Sequence, residues 1–135
     1  MVTPLEALAD AIAYMEGDKP GNRAYQNRNP GNLRPTNPAE SNDLKGYRVF
    51  PTFLQGYAAL LTDLGNKCTG HTTTGLKPTS TLAELINVWA PPSDGNDPHA
   101  YCAFVVSWIR RATGRNITAQ SPLFDIFPSM GQPVQ

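Results

Sequence analysis

Three times along this chain a threonine is followed three residues later by Glu or Gln, in step with apolar residues at helical spacing: Thr3-Pro4-Leu5-Glu6, Thr52-x-x-Gln55 and Thr81-x-x-Glu84. The threonine hydroxyl accepts from a backbone N–H of the first helical turn while the Glu or Gln reaches back to the threonine amide, so each pair fixes a helix start. Asp97-Pro98 supplies a fourth, a capping carboxylate followed by a proline whose missing N–H is no loss in a first turn. Four helix starts in 135 residues leave room for one small, mostly helical domain around a single core.

The first helix should run from Thr3 to a stop at Gly17. Leu5, Leu8, Ala9, Ile12 and Met15 fall in one sector roughly 120° wide; Glu16 falls inside that sector, Glu6 and Asp10 outside it. The second helix, from Thr52, should bury Phe53, Tyr57, Leu60, Leu61 and Leu64 and end at Gly65. Gly56 in its first turn implies either close approach by another backbone or a weak point. Leu82, Leu85, Ile86 and Trp89 make the stripe of the third, which Pro91-Pro92 stops; Trp89 reads as core or as a platform for stacking a sugar. The fourth, about 98–112, is apolar nearly all round, through Tyr101, Cys102, Phe104, Val105, Val106, Trp108 and Ile109, and is expected to be central. Ser121-Pro122-Leu123-Phe124 should start a last short helix ahead of a frayed tail.

Between 18 and 52 the helical period disappears and Asn, Pro and Gly take over. Two strand-like pieces, 31–34 and 47–50, flank a polar loop at 36–45, which predicts a small β lobe over about 28–52. The expected class is α+β, mostly helical, with this lobe after the first helix.

Lys plus Arg and Asp plus Glu each number 11, and charged residues are 16% of the chain against a usual figure of about 25%. That balance supplies no basic field for holding phosphates and argues against nucleic acid as a partner. No run approaches the roughly 20 apolar residues of a membrane span. Met1-Val-Thr-Pro-Leu-Glu lacks the basic start and apolar stretch of a secretory leader, so either no such leader is used or this is a processed form.

Chemistry can be argued around Glu16. It shares the apolar face, it closes a helix at the negative end of the macrodipole, and Gly17 leaves space beside it. Burial and dipole both oppose the ionised form. A carboxylic acid kept neutral can protonate a poor leaving group such as a glycosidic oxygen. The other reading is a helix-end glutamate that turns back to solvent or caps a neighbouring amide. Asn27-Arg28-Asn29-Pro30-Gly31-Asn32-Leu33-Arg34 then gathers amides and guanidinium groups on a bent backbone. Such a set donates and accepts toward hydroxyl and acetamido groups, or else forms a turn whose asparagines satisfy local backbone.

Met15-Glu16-Gly17, Asn29-Pro30-Gly31-Asn32-Leu33-Arg34, Tyr47-Arg48-Val49-Phe50-Pro51-Thr52 leading to Gly56, and Thr81-Leu82 with Trp89-Ala90-Pro91-Pro92, Asn96 and Tyr101 resemble a known family. It is that of the small phage and bacterial muramidase-like domains of the lysozyme superfamily, related to soluble lytic transglycosylases and goose-type lysozymes. The resemblance covers roughly 9–101 and implies a single lysozyme-like catalytic domain over 1–135. The implied activity is cleavage of peptidoglycan glycan strands in the periplasm or cell wall, with no cofactor or metal, and the chain is expected to work as a monomer. Glu16 would protonate the bond between N-acetylmuramic acid and N-acetylglucosamine. In the transglycosylase branch it then takes the proton of the muramoyl 6-hydroxyl as a 1,6-anhydro ring closes. Asn29, Asn32, Arg34 and Tyr101 would contact substrate, with core packing as the other role for Tyr101. A hydrolytic relative needs a second carboxylate, about 5–5.5 Å away for retention or about 6.5–9.5 Å for inversion. Asp18, Glu40, Asp43 and Asp94 are the candidates. Two other readings drop the catalysis: a virion or cell-wall module that binds glycan on the same fold, and a helical adaptor that binds protein.

The two cysteines and two histidines fall as Cys68-x-x-His71 and His99-x-x-Cys102. Three arrangements suit them: a Cys₂His₂ zinc site, a Cys68–Cys102 disulfide contributing on the order of 3 kcal/mol, or two unlinked thiols.

Overall fold

A computed structural model of the protein describes residues 2–128; the C-terminal tail beyond them lies outside the described residues. The chain is mostly helical, in the order α1 (Pro4–Met15), α2 (Arg23–Gln26), α3 (Phe53–Cys68), α4 (Leu82–Trp89) and α5 (Pro98–Thr113), with 3₁₀ turns at Pro92–Asp94 and Leu123–Asp125. The threonine caps form, with the full reciprocal exchange at Thr3 and Thr81 and its first half only at Thr52. Glu6 N donates to Thr3 Oγ1 at 3.1 Å while Thr3 N donates to Glu6 Oε1 at 3.0 Å, and Thr81 and Glu84 repeat that exchange at 3.1 and 2.9 Å. At α3, Gln55 N donates to Thr52 Oγ1 and the hydroxyl donates on to Gln55 Oε1. Asp97 caps α5 through Ala100 N, with Pro98 in the first turn and Gly114 closing the far end at φ +71°.

The chain divides into two compact units, one made of residues up to 11 together with those from 63 onward, the other of residues 12–62. In the first, α4 packs on α5, and Leu64, Leu82, Leu85, Ile86, Val105, Ile109 and Leu123 are fully buried. The segment after α5 serves the start of α4. Leu82 N and Ala83 N, first-turn donors with no helical partner, donate to Ser121 O and Ala119 O, and Leu123 N returns a bond to Ser80 O. The last short helix expected from Ser121-Pro122 is the 3₁₀ helix Leu123–Asp125, with Pro122 at its N-cap.

Gly65 does not end α3. A Cβ there would stand 3.2 Å from the Phe127 ring, so the glycine admits that ring against a continuing helix. The stop is Gly70 at φ +80°, where His71 N donates to Asn66 O and Gly70 N to Lys67 O in a Schellman motif.

In the unit of residues 12–62, Ile12, Ala24, Asn29, Phe50 and Leu60 are buried. The predicted β lobe is not seen; among the described residues there are two isolated bridges, Asn42 with Arg48 and Thr81 with Pro122, and no strand. The pieces 31–34 and 47–50 do meet, through Arg48 N donating to Leu33 O. A ladder cannot grow there because Leu33 N, Leu33 O and Arg48 O are bonded to the side chain of Asn29. Two apolar assignments also change: Met15 is 38% exposed and Phe53 47% exposed, the latter stacked on Tyr57 at 6.0 Å rather than buried.

Candidate active site around Glu16

Glu16 is the C-cap of α1. Gly17 follows at φ +80°, its N–H donates to Tyr14 O, and Asp18 N reaches back to Ala13 O. This is again a Schellman closure, and it explains why a glycine stands after the glutamate. Two asparagine amides then donate to carbonyls at this helix end. Asn22 Nδ2 donates to Gly17 O at 3.1 Å; this residue is also the N-cap of α2 but makes no side-chain capping bond there. Asn32 Nδ2 donates to Glu16 O at 3.2 Å and to Glu16 Oε1 at 3.4 Å. One amide thus holds both the main chain and the carboxyl of Glu16, which is half-buried.

Asn32 reaches Glu16 because the turn before it is rigid. Asn29 has 0% exposure; its Nδ2 donates to Leu33 O and Arg48 O, and its Oδ1 accepts from Leu33 N, all at 2.9 Å. The expectation that Asn29 contacts substrate therefore gives way to a buried clamp whose amide is fully engaged. Asn32 N closes the turn on Asn29 O, with Asn32 itself at φ +50°. Arg28 shares that φ because α2 ends in a Schellman closure with Arg28 where glycine is usual, Asn29 N donating to Ala24 O and Arg28 N to Tyr25 O. Two non-glycine residues in the left-handed region within five positions mark a backbone held by its surroundings. Part of that hold is α3: a Cβ on Gly56 would lie 1.9 Å from Arg28 O, so the carbonyl of the turn rests directly on the helix backbone. Gly31 likewise sits against Leu60, with 2.6 Å between a would-be Cβ and Cδ1.

The acidic residues of this unit separate clearly. Asp43 accepts from Asn27 Nδ2, Lys45 N and Tyr47 N and pairs with Arg23, which holds its carboxyl below the ordinary aspartate range, the Asn27 bond most of all. Glu40 accepts from Thr36 N and Oγ1 and pairs with Arg48 at 3.2 Å; the Thr36 N–H is the main cause of its lowered pKa. Both carboxylates are structural. Asp18 differs: its Oδ1 is buried without a partner among the described residues, and burial pushes its pKa up. The Asn32 Oδ1, on the amide that holds Glu16, is a second buried acceptor left without a donor among the described residues.

Of the residues expected at the site, Glu16 and Asn32 come together directly and Asn29 supports them from beneath. Arg34 is exposed and lies over the Tyr47 ring, 4.3 Å from its centre. Tyr101 belongs to α5 in the other unit, where it is buried with 5% exposure; Asp94 is in that unit too. Tyr47, on which Arg34 lies, is not among the residues expected at the site. Asp43-x-Lys45-Gly46 ahead of it is an Asx-turn pattern that sequence alone could have flagged.

The cysteines are free and buried, and no group of three or more His, Cys, Asp or Glu among the described residues could hold a metal. His71 bonds Thr69 at 2.7 Å. An open groove of about 770 Å³ in the first unit is lined by Glu84, Asn87, His99 and Cys102, but Glu84 and Asp97 there are committed to the caps of α4 and α5. Comparison of the chain with protein-family models, with curated proteins and with solved structures finds no match among them.

Proposed function

We propose that the chain is a peptidoglycan lytic transglycosylase of lysozyme-like type, acting on the N-acetylmuramic acid to N-acetylglucosamine bond with Glu16 as its one catalytic carboxyl. The observation that carries the reading is the Asn32 amide on Glu16. Its two bonds, to Glu16 O and to Oε1, fix where the carboxyl lies, so the acid is aimed by the same side chain that holds its backbone.

The proton passes to the glycosidic oxygen as the bond from C1 breaks. The Glu16 carboxylate then accepts the proton of the muramoyl 6-hydroxyl while that oxygen closes on C1, so the acid is regenerated and no water enters. One carboxylate suffices. The state of the other acids favours this over hydrolysis, which needs a second, ionised carboxylate beside the sugar. Glu40 and Asp43 are spent on internal bonds, and burial opposes ionisation of Asp18.

Clearing of purified cell walls tests the proposal. Glu16→Gln keeps the amide contact but has no proton to give, and should slow clearing by roughly 100- to 10,000-fold. Equal clearing by both proteins, or none by either, overturns the enzymatic reading. Product masses test the mechanism: anhydro ends weigh one water less than the reducing ends that a hydrolase leaves.

A further inference from the structure

Arg34 and Arg23 lie 4.3 and 4.4 Å from the centre of the Tyr47 ring. Both guanidinium groups are thus held against one aromatic ring, whose electron-rich face attracts a cation. Arg23 is answered by Asp43 at 3.8 Å. Arg34 has no carboxylate partner among the described residues; its Nη1 reaches the carbonyls of Lys45 and Gly46 at the outer limit of 3.5 Å. Gly46, at φ +85°, keeps the loop low beneath it, with 3.2 Å between a would-be Cβ and that nitrogen. The outcome is an exposed cation with a settled orientation and an unanswered charge.

Orientation before binding is what gives a guanidinium its advantage over a free lysine, since its planar fork can take a carboxylate through two parallel bonds with little further ordering. Position matters as well. Asn32, which holds Glu16, is two residues earlier, so the two Cα atoms are at most about 7 Å apart. Sugar hydroxyls and acetamido groups are neutral and do not call for such a cation. The anionic groups close to a muramoyl residue are the carboxylates of the peptide stem that hangs from it.

We propose that Arg34, laid on Tyr47, docks a carboxylate of that peptide stem and so makes the site prefer strands that still carry their peptides. The proposal rests on the peptidoglycan reading of Glu16, and its test separates the two. KM is measured on glycan strands with intact stems and on strands stripped of them. The wild-type ratio should favour stem-bearing strands by about five-fold, the scale of a well-oriented ion pair at a surface. Arg34→Gln should bring the ratio to about one and Arg34→Lys should keep part of it. A ratio that Arg34→Gln leaves unchanged overturns the assignment. Independently of cleavage, the Arg34 Nε–H resonance of ¹⁵N-labelled protein should move on titration with a soluble stem peptide and stay still with the same peptide amidated at its carboxylates. Movement with neither peptide, or equally with both, overturns it too. A wild type that cuts no cell wall would count against Glu16, and the peptide titration would still decide Arg34.

Discussion

Asp18 shows what a single side chain can report. Its Oδ1 is buried without a partner, and burial raises its pKa, so the fold prefers the neutral acid. With the folded value above the unfolded one, the carboxyl favours the fold at low pH, and this advantage is lost as the pH climbs from the ordinary aspartate value through the raised one. Asp18→Asn removes that titration. The melting temperature of the variant relative to wild type should therefore rise between pH 3 and pH 7; parallel curves would mean that Asp18 is solvated. At this scale the sequence was informative where a residue's role is local. Glu16, Gly17 and Asn32 could be picked out because a helix end, a left-handed position and an amide-rich turn follow from neighbouring residues. Asn29 is not legible in this way, since its burial depends on Leu33 and Arg48 converging on it. Composition shows the amide and not where it points.

At the scale of elements, helix starts were legible and helix ends less so. A capping box closes within four residues and needs nothing else. The end of α3 depends on Phe127, far along the chain, filling the space over Gly65, so one glycine became a packing surface and another the stop. The β lobe failed for a related reason: strand-like residues are present, but a side chain rather than a neighbouring strand takes their backbone groups. Gly56 offers the sharpest test. In an open helix, glycine to alanine is favourable by about 1 kcal/mol. Here the new methyl would meet Arg28 O at 1.9 Å, so Gly56→Ala should destabilise the protein by about 2 kcal/mol, read by urea denaturation. A stabilised variant would show that the turn does not rest on α3.

For the molecule as a whole, zero net charge conceals a division. Residues 12–62 hold six Lys and Arg against four acids, and the remainder five against seven, so the unit with Glu16 carries cations in excess. The cysteines add no covalent or metal staple. Burial pushes the Cys68 thiol up to about 12 and raises Cys102 as well, which leaves both as buried, unreactive groups. Iodoacetamide at pH 8 should leave the native chain unmodified and alkylate both cysteines in denaturant without reductant, as read by intact mass. Neither reductant nor a chelator should move the melting temperature; a drop with reductant would restore the disulfide, and a drop with a chelator the zinc site.

The contact of the Arg28 carbonyl with Gly56 bears on how such a site can be moved or redesigned. The turn that aims Asn32 is shaped from outside by a helix more than twenty positions later, so its few letters are not a portable cassette. Grafting them onto a foreign scaffold without the glycine-bearing start of α3 would reproduce the motif in print and lose the aim of its glutamate.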